Sequence, residues 1–158
     1  MIFISLGSQK FQFNRLLEEV DLLVEKGIIE DEVFAQIGYS DYKPKNYRYK
    51  EFLDRDEFNN SINKANIVIT HGGTGAIISA VKKEKKVIAV ARLKKYEEHV
   101  DDHQVEIVSQ FNEMGLIEGI VDIKDLERAI KDLNTKTYKT YISNNQRIIN
   151  LIEDFIGS

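Results

Sequence analysis

The chain has 158 residues, of which 42% are hydrophobic and 30% charged, a balance typical of one soluble globular domain. Its formal net charge of −4 argues against nucleic acid as the main partner, because proteins that bind a duplex usually carry a basic excess. The lack of cysteine excludes disulfides and thiolate metal sites, and no apolar run approaches the roughly 20 residues that a membrane-spanning helix needs.

Short apolar runs alternate with segments of helical periodicity along the chain. In chain order the sequence predicts a strand over 2–6, a helix over 14–26 with Asn14 as its cap, strands over 32–38 and 47–53, a helix over 56–65, a strand over 67–70, a helix over 75–83, a strand over 86–91, a helix over 99–114, a strand over 117–123, and helices over 125–133 and about 143–157. This alternation is typical of parallel βαβ units. The predicted fold class is therefore α/β, with a single Rossmann-like domain over 1–158, a mostly parallel sheet, and helices on both faces.

The last predicted helix carries an apolar stripe at helical spacing. The stripe consists of Ile148, Ile149, Ile152, Phe155 and Ile156. One interpretation is that it packs against the sheet of its own domain, and the other is that it docks to a partner subunit. The sequence leaves both open.

Two glycine-containing turns follow predicted strands. The first is "SLGSQKF", over 5–11, and the second is "THGGTGA", over 70–76. Ligands of an open parallel sheet bind at the carboxyl ends of its strands, and glycine lets the backbone approach a ligand closely. The helix after the second turn aims free N–H groups and a positive dipole end at that place. The turns therefore predict a phosphate site, although they also fit tight strand–helix joints that bind nothing.

Better-known glycine motifs are absent from both turns. Neither contains the dinucleotide fingerprint G-x-G-x-x-G, the Walker sequence that ends in Gly-Lys-Ser/Thr, or the G-x-S-x-G elbow of serine hydrolases. An unrelated nucleotide-binding or dehydrogenase-like domain is therefore disfavoured.

His99 and His103 stand four residues apart on a predicted helix, beside Asp101 and Asp102. Residues at this spacing share a helix face, so a metal site is one interpretation, but the H-E-x-x-H form and a third ligand are missing. The alternative is that Asp102, His103 and Gln104 present hydrogen-bonding groups to sugar hydroxyls at the start of a helix.

The order of the segments "SLGSQ", "HGGTG", "KVIAVAR", "DDHQ" and "MG" resembles the C-terminal, donor-binding half of GT-B glycosyltransferases of family 28. The resemblance runs from about residue 2 to residue 115. Within the family the chain is similar to small cytosolic subunits of two-component enzymes, such as that of the eukaryotic dolichol-linked N-acetylglucosaminyltransferase. It is more similar to bacterial exopolysaccharide and capsule proteins, because its segments "SLGSQKFQFNRLL" and "ARLKKYEEHVDDHQVE" resemble characteristic segments of those proteins.

The resemblance implies a nucleotide-sugar donor, usually a UDP-sugar, and positions that bind it. It implies that the diphosphate side of the cleft is lined by Gly7, Ser8 and Gln9. It implies that the donor phosphates are held by His71, Gly72, Gly73, Thr74 and Gly75. It implies that the base packs on Phe52 and Leu53, and that the donor sugar lies near His103 and Gln104.

Three further positions have roles that the resemblance leaves open. Family members usually carry Glu or Asp where this chain has Ser79, and a serine holds the ribose hydroxyls less strongly than a carboxylate. Arg92 either offsets the charge of the diphosphate or lies at the surface. His71 is the candidate catalytic residue, which gives electrostatic or proton-transfer help or only donates a hydrogen bond to the diphosphate.

The resemblance implies transfer of a hexose, with galactose as the expectation, to a lipid-linked saccharide acceptor in surface polysaccharide synthesis. Because a GT-B enzyme works between two halves and this chain holds one, the acceptor half is expected on a membrane-anchored partner subunit. We expect metal-independent transfer without a cofactor, activity only with the partner, and a cytoplasmic chain recruited to the inner face of the membrane. The alternative is a non-catalytic enhancer that stabilises a separate transferase.

Overall fold

The computed structural model describes residues 1–142 and 145–155. The strands are β1 (Ile2–Ser5), β2 (Val33–Gln36), β3 (Arg48–Lys50), β4 (Ile67–His71), β5 (Lys86–Val90) and β6 (Glu118–Ile120). The helices are α1 (Asn14–Glu25), α2 (Arg55–Lys64), α3 (Thr74–Val81), α4 (His103–Glu113), α5 (Leu126–Leu133) and α6 (Gln146–Phe155). None of the helices in this described part is both long and apolar enough to span a membrane.

The strands form one sheet in the order β3-β2-β1-β4-β5-β6, and each neighbouring pair is parallel. Their side chains alternate between two cores, as the strand period of two requires. In β1, Ile2 and Ile4 face a core closed by α1 and α5, whereas Phe3 faces a core closed by α2, α3, α4 and α6. The predicted α/β architecture with helices on both faces is confirmed.

The chain direction across the sheet reverses at β1. β1 pairs with β2 on one side and with β4 on the other. The strands β2 and β3 therefore extend the sheet towards one edge, and β4, β5 and β6 extend it towards the other. In such a sheet the crevice at the carboxyl ends of the two strands at the reversal is the usual ligand site. Ser5 of β1 stands opposite Thr70 of β4, which places the two glycine turns next to each other.

The start of α4 differs from the prediction, because the helix begins at His103 and not at His99. Residues 99–102 lie before the helix and are not helical. The Asp101 side chain accepts a hydrogen bond from the His103 N–H at 3.0 Å, which occupies a donor at the start of the helix. Val100 is an apolar residue of the segment predicted as helix, yet it lies outside α4 and is 64% exposed.

Asn14 was predicted to cap α1, but it is the first helical residue and Phe13 takes the cap position. The Asn14 side-chain oxygen accepts hydrogen bonds from the backbone N–H groups of Asp41 and Tyr42, each at 3.0 Å. Asn14 therefore holds the loop after β2 against the start of the helix.

The C-terminal helix α6 packs on its own domain. Ile148 and Leu151 are buried in the core that also contains residues of α4, and Ile152 lies partly buried against it. This packing accounts for Ile148 and Ile152 of the apolar stripe, whereas Ile149 is only partly buried and is not part of that core. The predictions for Ile156 and for the Phe155 side chain lie outside the part that the structure describes.

We expect Ile148→Ala to lower the free energy of unfolding by about 2 to 4 kcal/mol, because a buried side chain leaves a cavity when it is truncated. Ile142→Ala is the matched control, since Ile142 is 55% exposed and Ile148 only 1%, and we expect it to change stability by less than about 0.5 kcal/mol. Urea denaturation measures both. Equal effects would show that α6 does not stabilise this domain.

Candidate functional site

The two glycine turns border one cavity of about 520 Å³ at the carboxyl edge of the sheet. The turn after β1 contributes Gly7, Ser8 and Gln9 to its lining, the turn after β4 contributes His71, Gly73, Thr74 and Gly75, and α4 contributes His103 and Gln104. The described residues that line this first cavity include no Asp, Glu, Lys or Arg. Any charge on a ligand there is therefore met by backbone amides, polar side chains and histidines.

The ring of His71 lies between two glycine backbones. A Cβ atom added to Gly7 would come within 2.8 Å of the ring Nε2, and one added to Gly73 would come within 2.5 Å of Cε1. Gly7 also has a φ of 72°, which disfavours a side chain there. Both glycines are thus required for packing against the imidazole, besides any role in approaching a ligand.

Gly72 was predicted to hold phosphate, but it lies behind the cavity wall. A Cβ atom at this position would come within 2.7 Å of Val108 Cγ2 in α4, and the Gly72 N–H donates to Gln104 Oε1 at 2.9 Å. Gly72 therefore lets α4 pack against the end of β4. This is a correction to the role predicted from the sequence.

The N terminus of α3 is the strongest anion-binding feature of the cavity. Gly73 occupies the cap position, and no side chain of the described residues caps this end. The first N–H groups of a helix lack intrahelical acceptors and carry the positive end of the dipole. Thr74 Oγ1 is buried without a partner among the described residues, whereas a Cβ atom at Gly75 would meet open space. A ligand with several acceptor oxygens fits this arrangement.

His71 is a neutral side chain at this site. Burial, together with the positive charge of Arg92, lowers the pKa of His71 to about 3. A ring with so low a pKa is uncharged at neutral pH and is a weak base. Of the roles open to His71 from the sequence, this low pKa favours hydrogen bonding over proton transfer.

Gln104 lies at the wall of the cavity with its carboxamide directed into the protein. Its Oε1 accepts hydrogen bonds from the N–H groups of Gly72 and Arg92, at 2.9 and 3.1 Å, and its Nε2 lies 3.2 Å from His71 Nδ1. The sequence predicted that Gln104 presents these groups to a sugar. The structure instead gives them protein partners, whereas His103 is about half exposed at the mouth of the cavity.

Arg92 is the clearest correction, because it neither lies at the surface nor lines the cavity. It is 1% exposed. Its Nη2 donates to the Leu6 carbonyl at 2.6 Å, and its Nη1 donates to the carbonyls of Phe11 and Gln12 at 3.1 and 3.2 Å. Arg92 therefore fixes the loop that carries Gly7, and it reaches a ligand only through the electrostatic field.

A second buried charge, the Glu98 carboxylate, belongs to the residue whose carbonyl binds Arg92. The Glu98 carboxylate is fully buried and accepts two hydrogen bonds from Arg15, each at 3.0 Å, and one from the Leu93 N–H at 2.9 Å. The Glu98 carbonyl accepts from Arg92 Nη1 at 3.2 Å. The sequence did not predict this network, because its members are distant in sequence and charged side chains usually lie at the surface.

A second cavity of about 290 Å³ adjoins the first and shares Gly7, Ser8, Gly75 and Ala76 with it. It is lined by the predicted residues Phe52, Leu53 and Ser79. The Ser79 hydroxyl donates to the Gly75 carbonyl at 2.8 Å, so its lone pairs remain for a ligand. The structure thus places the residues predicted for the base and the ribose, and those predicted for the phosphates except Gly72, in two adjoining cavities.

The sequence did not predict Gln36 as a residue of the site, and it suggested His99 only as a metal ligand. Gln36 lies in the second cavity, and its Nε2 donates to the Gly7 carbonyl at 2.9 Å, which holds the first turn from β2. The signal was a polar residue in the apolar strand run "EVFAQIG". His99 lines the first cavity and stacks on Phe11, with ring centroids 5.6 Å apart.

The metal interpretation of His99 and His103 finds no support in the described part of the chain, where no group of three or more His, Asp or Glu side chains is placed to hold an ion. The two histidines instead share one carboxylate. His99 Nδ1 lies 3.1 Å from one oxygen of Asp101, and His103 Nδ1 lies 3.5 Å from the other.

We expect His71 to make the protein sensitive to acid. Its pKa is lowered from 6.5 to about 3 on folding, so below pH 6.5 the unfolded chain binds a proton that the folded chain does not. The free energy of unfolding therefore falls as the pH falls, by about 2 kcal/mol between pH 7 and pH 5 from this group. Denaturation at both pH values should show this loss for the wild type and a smaller loss for His71→Gln. Equal losses of stability in the wild type and in His71→Gln would contradict the assignment of this acid sensitivity to His71.

We expect Arg92→Met to lower the free energy of unfolding by about 3 kcal/mol or more, because it removes the donor from two buried and two partly buried carbonyl groups. Arg55→Met is the control, since Arg55 is an exposed residue of α2. Chemical denaturation compares the two. If both variants were as stable as the wild type, Arg92 would not hold the loop.

The sequence matches the glycosyltransferase family 28 C-terminal domain over residues 1–155. It is 29% identical over 103 residues to the human UDP-N-acetylglucosamine transferase subunit ALG13, a match that covers 65% of this chain and 8% of the human protein. It is 24% identical over 144 residues to the subunit of the same name from Candida albicans, covering 87% of this chain and 47% of that protein. The chain thus spans half or less of the length of these relatives.

Solved structures agree on the fold. The NMR solution structure of ALG13 superposes with a TM-score of 0.63 at 16% identity, covering 99% of this chain and 96% of that chain. The glycotransferase of kitacinnamycin superposes with a TM-score of 0.61 at 18% identity, covering 97% of this chain but 38% of the longer enzyme. The chain therefore belongs to the glycosyltransferase family 28 C-terminal domain family, and it has the Rossmann-like fold of the C-terminal half of a GT-B glycosyltransferase.

Proposed function

We propose that the chain is the donor-binding subunit of a two-component glycosyltransferase and that it binds a UDP-sugar at the two glycine turns. The observation that carries this proposal is the uncapped N terminus of α3 beside the Gly7 turn, with open space at Gly75. A diphosphate supplies acceptor oxygens and negative charge for this place. The family match and the names of the curated relatives support the same ligand class.

The site stabilises the leaving group of the transfer. As the bond from the sugar to the diphosphate breaks, negative charge grows on the phosphate oxygens. The amides of α3, its dipole and the His71 ring are held in place before the reaction, so they stabilise that charge without reorganising. The second cavity accommodates the nucleoside, with the base on Phe52 and Leu53 and the ribose near Ser79.

The sugar and the acceptor follow from the resemblance. We propose a hexose donor, with galactose as the expectation, transferred to a lipid-linked saccharide in surface polysaccharide synthesis. The relatives are named as UDP-N-acetylglucosamine transferase subunits, so N-acetylglucosamine is the competing sugar. Competition of UDP-galactose and UDP-N-acetylglucosamine for the site separates the two.

A partner completes the enzyme in this proposal. A GT-B enzyme places its acceptor on the opposite half of a cleft, and this chain supplies the donor half. We propose a membrane-anchored partner subunit that holds the acceptor and supplies the general base, so that the chain works at the cytoplasmic face of the membrane. A neighbouring gene that encodes a short protein with one N-terminal membrane helix would support this arrangement.

One observation favours a second candidate function, that of a non-catalytic enhancer of a separate transferase. Ser79 stands where the family usually carries a carboxylate, and its hydroxyl proton is already donated to the Gly75 carbonyl. Ribose recognition is weaker in consequence. A subunit that had lost donor binding would tolerate such a change.

We expect Gly75→Ala to fold normally and to weaken UDP binding about tenfold. The added Cβ meets no protein atom within 4 Å, and alanine favours a helix, so stability is retained. The methyl group instead occupies space at the N terminus of α3 where the phosphates approach. Asn60→Ala, on the exposed side of α2, is the control. Isothermal calorimetry with UDP measures both variants.

The calorimetry and a turnover assay together decide between the donor-binding subunit and the enhancer. Absence of UDP binding to the wild-type chain at millimolar ligand would count against donor binding. In the enzyme reconstituted with its partner, unchanged turnover of Gly75→Ala would favour the enhancer, whereas a loss of turnover would favour the donor subunit.

A further inference from the structure

Two backbone donors fix the orientation of the buried Gln104 carboxamide. Its Oε1 accepts hydrogen bonds from the N–H groups of Gly72 and Arg92, at 2.9 and 3.1 Å. A backbone N–H group only donates, so the side-chain atom that faces both of them has to be the carbonyl oxygen. The other terminal atom of Gln104 is therefore the NH2 group, which donates and does not accept.

This orientation determines where His71 carries its proton. Gln104 Nε2 lies 3.2 Å from His71 Nδ1. Because the NH2 group only donates, Nδ1 accepts with its lone pair. A neutral imidazole that accepts at Nδ1 carries its single proton on Nε2. Burial keeps the ring neutral, since it lowers the pKa of His71 to about 3.

The protonated nitrogen lies at the cavity, between the two glycine turns. A Cβ atom at Gly7 would lie 2.8 Å from Nε2 and one at Gly73 would lie 3.2 Å from it, and both glycines line the first cavity. The uncapped amides of α3 open onto the same place. The ring and the helix therefore both present N–H donors to whatever binds there.

We propose that Gln104 is a positioning residue that holds His71 in the Nε2–H form, so that the ring donates a hydrogen bond to the diphosphate of a nucleotide-sugar. The identity of the ligand rests on the proposed function, whereas the position of the proton does not. In the opposite tautomer a bare Nε2 lone pair would face the phosphate oxygens and repel them. Gln104 thus decides whether His71 attracts or repels the donor.

The tautomer is measured directly in the ligand-free chain. Long-range 1H–15N spectra of protein labelled with 15N-histidine, at about pH 8, distinguish a protonated ring nitrogen from a bare one. The signals of His71 are those that disappear in His71→Gln. We expect a protonated Nε2 and a bare Nδ1. A bare Nε2 with a protonated Nδ1 would overturn the proposal, and this test needs no variant of Gln104.

Gln104→Glu should reverse the hydrogen bond. One carboxylate oxygen still accepts from the N–H groups of Gly72 and Arg92, while the other now accepts from His71 Nδ1. We expect Nδ1 to become protonated at about pH 8 and UDP affinity to fall about tenfold or more, since a donor to a charged group is lost. Affinity for uridine, which has no phosphates, should change little. A bare Nδ1 in this variant would contradict the proposal.

Gln110→Glu is the matched control, because it adds the same charge to α4 at a residue whose side chain contacts Arg147 and not His71. We expect the tautomer of His71 and the affinity for UDP to stay as in the wild type. UDP binding by a chain whose His71 has a bare Nε2 would overturn this inference alone. A protonated Nε2 in a wild-type chain that binds no UDP would overturn the proposed function and leave the role of Gln104 in fixing the proton in place.

Discussion

A buried polar network at the carboxyl edge of the sheet holds the candidate site together. Gln104 of α4 binds the chain just after β4, through Gly72, and just after β5, through Arg92. Arg92 in turn binds the Leu6 carbonyl, just after β1. Buried polar and charged groups are costly unless each is bonded. The network therefore fixes three strand ends and the start of α4 in one arrangement, and the cavity is the space that this arrangement leaves.

The network also separates the roles of the glycines. Gly7 and Gly73 leave room for the His71 ring, and Gly72 leaves room for α4, so these three are required by the protein itself. Gly75 has no protein atom that a side chain would meet, yet it lies at the N terminus of α3 and lines both cavities. Packing within the protein therefore does not explain why position 75 is a glycine, whereas a ligand bound there does.

Much of the fold was predictable because strands buried on both faces show as continuous apolar runs, as in "IVIT" before His71. The adjacency of the glycine turns followed from the expected parallel sheet. The burial of Arg92 was not predictable, since arginine is rarely buried and its partner Leu6 is 86 positions away. The apolar side chain of Val100 extended the helical pattern too far, although the acidic residues before His103 were a local signal for the true helix start.

A crystal structure of the chain with UDP tests the central claim most directly, since the claim is that the N terminus of α3 and the Gly7 turn together bind a diphosphate. The expected result is a diphosphate about 3 Å from the amides of Gly75 and Ala76 and from His71 Nε2, with the uracil against Phe52. UDP bound at another surface, with no nucleotide between the two glycine turns, would contradict it.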